Sequence, residues 1–182
     1  HSTSSAASDV YKRQVFTYTT TDENGATTTA TLTISVTGSN DTPVAQDDVG
    51  VISEDSTLTV TNGSNGNSDG TINTTGEHSG DVIDTTSSSH KDSDPDASPT
   101  LEITQIKKNG GSDSAVSSGS SYNSSGTSVT GTYGTLTIGA DGSYTYVADQ
   151  AAADALDDGD SVDDIFVYTL SDEHGALSLI HI

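Results

Sequence analysis

The chain has 182 residues, no cysteine, and a formal net charge of −22 that comes from 27 acidic and 5 basic residues. The lack of cysteine excludes disulfides, thiol catalysis and thiolate metal sites. The acidic excess argues against nucleic acid and anionic membrane surfaces as partners, and no apolar run approaches the length of about 18 residues that a membrane-inserted helix needs. With 30% hydrophobic and 5% aromatic residues, a folded domain has only a small core.

Apolar and polar side chains alternate along short runs that are separated by turn residues, which is the pattern of half-buried strands. The predicted strands, in chain order, are 15–20, 27–37, 44–52, 56–61, 100–106, 133–138, 143–147 and 164–170. Asn24-Gly25 predicts a hairpin turn after the first strand. Asp141-Gly142 closes the clearest hairpin of the chain.

The second predicted strand leads into a domain boundary. Its alternation stops at Gly38, and the pair Asn40-Asp41 precedes Pro43, which has no backbone N–H to give to a sheet. We therefore assign residues 15–43 to the last two strands and the linker of a preceding repeat. Residues 44–176 then form one nearly complete repeat that lacks its final strand.

An internal repeat supports this division. FTYTTTDENGA, from Phe16, matches FVYTLSDEHGA, from Phe166, which lies 150 positions later. That spacing suits one whole domain per repeat, and short strands with glycine-rich turns favour an antiparallel sandwich. The second copy has no counterpart of the strand 27–37. We expect the hairpin 15–37 to fill this gap, within the chain or between two chains.

Both ends resemble translated sequencing-adapter sequence: SSAASDVYKRQ at 4–14, and LSLIHI at 177–182. We expect residues 1–14 and 177–182 to be artefacts and leave them out of the sequence-based fold prediction. On this interpretation the chain is a fragment of a longer protein.

The strings GTYGTLTIGADGSYTYVAD, FVYTLSDEHGA and ATLTISVTGSNDTPVA resemble the VCBS or cadherin-like repeats of large bacterial RTX-type adhesins. The resemblance extends over much of residues 15–176, and the insert 62–89 matches poorly. It implies an all-β fold, an Ig-like (cadherin-like) antiparallel β-sandwich in a tandem array. It also implies calcium binding and an extracellular or cell-surface location.

The resemblance further implies which residues hold calcium, because cadherin-type junctions bind it between successive repeats. Matching the motifs position by position gives these ligands for the junction in this chain: Asn40, Asp41, Asp94, Asp96 and Asp172. Glu54 and Asp157 match ligands of the next junction, whose linker the chain lacks. Gly38 stands where the motif has an acid, which argues against a full multi-ion cluster.

Elementary chemistry agrees with calcium, which takes 6–8 oxygen ligands in variable geometry and suits carboxylates and amides on loops. The other interpretation is that these acids are solvated loop residues that keep the chain soluble. Spacing alone does not choose between the two.

We expect a structural or adhesive repeat module of a secreted bacterial surface protein, with neighbouring repeats of the same chain as its partners. The alternative is a module that binds extracellular polysaccharide, with cell-surface or matrix glycans as partners. We expect no enzymatic activity. The G-x-S-x-G match at 66–70 lies in a polar stretch without the flanking strand and helix that a hydrolase needs.

Overall fold

The structure, a computed structural model, describes residues 12–64, 66, 76–83 and 90–182. Within these residues it contains strands and turns but no helix, and every strand pair is antiparallel. The all-β prediction is therefore confirmed. The strands are β1 Lys12–Thr21, β2 Thr27–Val36, β3 Thr57–Val60, β4 Glu102–Lys108, β5 Ser114–Ala115, β6 Thr127–Thr130, β7 Thr135–Ile138, β8 Tyr144–Val147, β9 Phe166–Ser171 and β10 Leu177–His181. Residues 1–11, most of the predicted N-terminal artefact, and most of the insert 62–89 lie outside the described residues.

The chain divides into two compact units, His1–Asn40 and Asp41–Ile182. In the first unit, β1 and β2 form a two-stranded sheet of their own, paired from Lys12 with Val36 to Thr21 with Thr27. Aspartate closes the turn, because Asp22 Oδ1 accepts the N–H groups of Asn24 and Ala26. The hairpin predicted from Asn24-Gly25 is confirmed.

The second unit contains two four-stranded sheets with the strand orders β10-β9-β4-β5 and β3-β8-β7-β6. Alternate residues of both sheets enter a single apolar core, as strand geometry requires. Core side chains that show this alternation are Leu58 and Val60 of β3, Leu136 and Ile138 of β7, and Phe166, Tyr168 and Leu170 of β9. The two sheets thus form a sandwich.

An irregularity in β4 allows two isoleucines three positions apart to enter this core. Ile103 is paired with Leu170 and Ile106 with Tyr168, and the register shifts between Ile103 and Gln105. In a regular strand, residues three positions apart point to opposite faces. The extra residue of a bulge shifts the alternation by one position, so both isoleucines point to the same face. Both isoleucines are fully buried.

The predicted strand 44–52 is not a strand, since only isolated bridges occur there, from Val44 to Ser93 and from Gly50 to His78. Its N–H groups find separate partners instead of one ladder. Val44 donates to the Ser93 carbonyl, Gln46 to the Asp92 carboxylate, and Asp48 to the His181 carbonyl. The alternation of apolar and polar residues over 44–52 could not predict these hydrogen bonds, because the partners come from three distant segments.

β10 pairs with β9, so Leu177–His181 forms the closing strand of this sandwich. This strand exposes Leu177 and Leu179. The repeat offset places Thr27 and Thr29 of β2 at the equivalent positions. The adapter origin of residues 177–182 stays a prediction.

Candidate metal site

The acidic loop 92–96 lies beside the segment that follows the predicted linker. Val44 and Ser93 exchange two backbone hydrogen bonds, of 2.7 and 3.0 Å. Next to this bridge, Asp92 Oδ1 accepts the Gln46 N–H over 2.8 Å. Residues about 50 positions apart in sequence are thereby held side by side, which brings the loop carboxylates to the start of the second unit.

Three of the predicted ligands meet at this place: Asp41, Asp94 and Asp96. Asp96 Oδ2 accepts the Asp41 N–H over 2.9 Å. Asp94 Oδ1 accepts the Asp96 N–H over 2.8 Å, as in an Asx turn. The other oxygen of Asp94, Oδ2, is buried and accepts no hydrogen bond in the described part of the chain. A buried carboxylate oxygen without a donor is unusual, because burial of such an atom costs free energy unless a proton donor or a cation compensates it.

The remaining predicted ligands have other surroundings. Asn40 is exposed and is the last residue of the first unit. Asp172 is buried, and its Oδ1 accepts the N–H groups of His174 and Ala176 in the turn between β9 and β10. The predicted ligands of the next junction, Glu54 and Asp157, are both exposed.

These residues fit calcium in donor chemistry, since Asp41, Asp94 and Asp96 carry carboxylate oxygens, the ligands of a hard cation. Among the residues that the structure describes, no three acidic, histidine or cysteine side chains converge in a group that could hold a metal ion. The buried Asp94 Oδ2 atom, which accepts no hydrogen bond in the described part of the chain, is the feature of these residues that favours a cation.

A second set of carboxyl groups, which the sequence reasoning missed, lies inside the second unit: Asp48, Asp81 and Asp92. They are 5%, 4% and 1% exposed. Asp48 Oδ1 accepts the Ser79 hydroxyl over 3.0 Å, and Asp81 Oδ2 accepts the Gly63 N–H over 2.6 Å. Burial, and next the charge of Asp92, raise the pKa of Asp48 to about 8. Asp48 is therefore mostly protonated at neutral pH.

One signal in the sequence pointed to these buried groups. Tyr168 lies on the same, apolar face of its strand as Phe166 and Leu170. A tyrosine hydroxyl that is buried needs a hydrogen-bond partner. The sequence did not identify this partner as Asp48, because Asp47 and Asp48 resemble two solvated aspartates of a loop.

Comparisons with known proteins add no relative: no family model matches the chain, and a search of the curated proteins found no match. In the part of the chain that the structure describes, no apolar helix is long enough to span a bilayer.

Proposed function

We propose that this chain is a structural or adhesive repeat module of a secreted bacterial surface protein, with an Ig-like sandwich that calcium rigidifies at the junction before the second unit. The observation that carries the proposal is the buried Asp94 Oδ2, which accepts no hydrogen bond in the described part of the chain, in a loop whose Asp96 carboxylate accepts the Asp41 N–H. The VCBS-like and cadherin-like motifs of the sequence support it independently.

The physical basis is charge neutralisation. Two carboxylates about 6 Å apart repel each other by roughly 3 kcal/mol at an effective dielectric constant of about 20. The loop 92–96 carries three of them, and the chain has only 5 basic residues to oppose its 27 acids. Calcium bound to Asp94 and Asp96 would replace this repulsion by attraction. Because Asp96 also holds the Asp41 backbone, ordering the loop would fix the direction in which the chain enters the sandwich.

Thermal unfolding tests the proposal. At a calcium concentration about 100-fold above the dissociation constant, binding adds about 2.7 kcal/mol to the free energy of unfolding, which raises the melting temperature by roughly 8 °C for a unit of this size. We expect this rise between excess chelator and millimolar calcium. Asp94→Asn and Asp96→Asn should each reduce it by at least half.

Asp154→Asn is the matched control, because Asp154 is exposed and lies outside the cluster. It removes the same charge and should leave the calcium response unchanged. A melting temperature that calcium does not move would contradict the proposal. The acids would then serve solvation alone, and retention on polysaccharide columns would become the next measurement.

A further inference from the structure

Four Asn-Gly pairs occur in the chain, at 24–25, 62–63, 65–66 and 109–110. Such a pair is chemically labile, because the backbone nitrogen of the glycine can attack the Cγ carbon of the asparagine side chain, and glycine has no Cβ atom to block the approach. The reaction therefore depends on whether the structure leaves the glycine N–H and the asparagine side chain free. Asn65 of the third pair lies outside the described residues.

In the first pair, the glycine N–H is held inside the β1–β2 turn. The Gly25 N–H donates to the Asp22 carbonyl over 3.1 Å. The Asp22 carboxylate fixes the same turn, because its Oδ1 accepts the N–H groups of Asn24 and Ala26. Attack on the Asn24 side chain requires this turn to open.

In the second pair, both reacting groups are held. The Gly63 N–H donates to Oδ2 of the buried Asp81 over 2.6 Å. The Asn62 side chain donates from Nδ2 to the Asp141 carbonyl over 3.0 Å. A hydrogen bond to a charged group is among the stronger ones in a protein, so this pair is the best protected of the three.

In the pair at 109–110, the glycine N–H is free within the described residues. Asn109 and Gly110 are the central residues of a turn that the Gly111 N–H closes by donating to the Lys108 carbonyl over 2.8 Å. The φ of 77° at Gly110 is typical of a type II turn. The peptide between the two central residues lies outside the closing hydrogen bond, and the Gly110 N–H meets no acceptor in the described part of the chain. Both residues are exposed.

The charges near the three pairs also differ in sign. Attack requires the glycine nitrogen to lose its proton, and a nearby positive charge favours the resulting anion, whereas a negative charge opposes it. Lys107 and Lys108 come immediately before Asn109. Lys107 is paired with Asp113, but the Lys108 ammonium donates to a neutral threonine hydroxyl. The first pair instead follows two acidic residues, and a carboxylate contacts the second.

We propose that Asn109 is a site of spontaneous deamidation, at which the folded chain converts its own asparagine into aspartate and isoaspartate. The Gly110 nitrogen loses its proton and forms a bond to Cγ of Asn109, and the Cγ–Nδ2 bond breaks as ammonia leaves. Water then opens the resulting cyclic imide at either of its two carbonyl carbons. Water is the only co-reactant. None of the predicted calcium ligands belongs to this turn, so the modification is independent of the metal site.

Isoaspartate changes the turn in two ways, because it inserts a methylene group into the main chain and adds a negative charge. The Asn109 N–H donates to the Ile165 carbonyl over 2.9 Å. The turn also sets the pairing of β4 with the two-residue strand β5. We expect the longer turn to weaken both of these connections.

Peptide mapping by mass spectrometry, after incubation of the full chain at neutral pH, measures the rate at each pair. In the folded chain, Asn109 should deamidate at least about fivefold faster than Asn24 and about thirtyfold faster than Asn62, from the usual strengths of neutral and charged hydrogen bonds. In denaturing urea these hydrogen bonds are absent. The three rates should then agree within about threefold, because only the charges of neighbouring residues still distinguish the pairs.

A charge reversal tests the electrostatic part of the argument. Lys108→Glu should slow the deamidation of Asn109 about fourfold, since it replaces a favourable charge by an adverse one. Lys91→Glu is the matched control, because Lys91 is exposed and lies outside the turn. It should change the rate at Asn109 by less than about 1.5-fold.

Three results would overturn the inference. Asn24 or Asn62 reacting as fast as Asn109 in the folded chain would mean that their hydrogen bonds do not protect them. A ranking that urea leaves unchanged would mean that neighbouring residues in the sequence, and not the fold, select the site. Equal rates for Lys108→Glu and Lys91→Glu would remove the electrostatic argument.

Discussion

The hydroxyl of Tyr168 lies 3.1 Å from Asp48 Oδ2 and 2.9 Å from the Val82 carbonyl oxygen, within hydrogen-bond distance of both. This contact joins the central strand β9 to a segment 120 residues earlier. Both side chains are buried, and a buried polar group without a hydrogen-bond partner costs free energy. The contact gives such a partner to the Tyr168 hydroxyl and to the Asp48 carboxyl group. The Tyr168–Asp48 contact is thus the polar centre of an otherwise apolar core.

We expect Tyr168→Phe to lower the free energy of unfolding by about 1–2 kcal/mol, since it leaves Asp48 and the Val82 carbonyl without this hydrogen-bond partner. Chemical denaturation measures the change. Tyr18→Phe is the matched control, because Tyr18 is the repeat counterpart of Tyr168 and is exposed. Equal effects of the two substitutions would show that the buried contact contributes nothing.

Asp48 should make stability depend on pH. Its pKa is raised to about 8 from 3.8, so between these values the folded chain keeps a proton that the unfolded chain releases. The free energy of unfolding therefore falls as pH rises through this window, by at most about 1.4 kcal/mol per pH unit from this group, and falls no further above the folded pKa.

The Asp48→Asn variant tests this dependence, because asparagine does not titrate. Denaturation at pH 5 to 9 in excess chelator should show a smaller decline for the variant than for the original chain. Parallel curves would mean that Asp48 ionises in the folded state as it does in the unfolded state.

Asp164 organises the loop between β6 and β7. Its carboxylate accepts the N–H groups of Thr132, Tyr133 and Gly134 and the Tyr146 hydroxyl. Burial works to raise the pKa of Asp164, but these hydrogen bonds outweigh it and hold the pKa below its usual value. The stabilisation is therefore complete above the unfolded pKa of about 3.9 and is lost as pH falls through the lower, folded value.

Asp164→Ala removes all these acceptors, and we expect it to cost about 2 kcal/mol of unfolding free energy at neutral pH. Asp164→Asn keeps one acceptor oxygen and should cost less. Asp163→Ala removes an exposed neighbour of the same charge and should cost under about 0.5 kcal/mol. Urea denaturation gives the three values, and equal losses for Asp163→Ala and Asp164→Ala would refute the assignment.

Gly134 allows β7 and β8 to approach closely at the end of the same loop. A Cβ atom at this position would overlap the Val147 carbonyl oxygen and the Tyr146 ring. Gly134→Ala should therefore destabilise the second unit by about 2 kcal/mol or more. Gly38→Ala is the control, since a Cβ atom there meets nothing within 4 Å. A melting temperature that Gly134→Ala leaves unchanged would mean that the two strands separate easily.

Local patterns in the sequence were sufficient for the strands and their short turns. The alternation around Asp141-Gly142 predicted the β7–β8 hairpin, and the repeat of Asp22 at Asp172 identified two turns that make the same hydrogen bonds. The pleat of a strand and the conformation of a turn depend on residues a few positions apart. Both can therefore be predicted from the local sequence.

The sequence by itself thus determined the all-β class and the hairpins, and it predicted a calcium site at the acidic loop, which stays a prediction. Only the tertiary structure decided that Asp41 meets Asp96 and that Asp48 is buried against Tyr168. It also decided that β10 takes the closing place beside β9. These relationships join segments up to 120 positions apart. They follow from how two sheets pack and which polar groups burial forces together, and no local pattern of residues encodes that outcome.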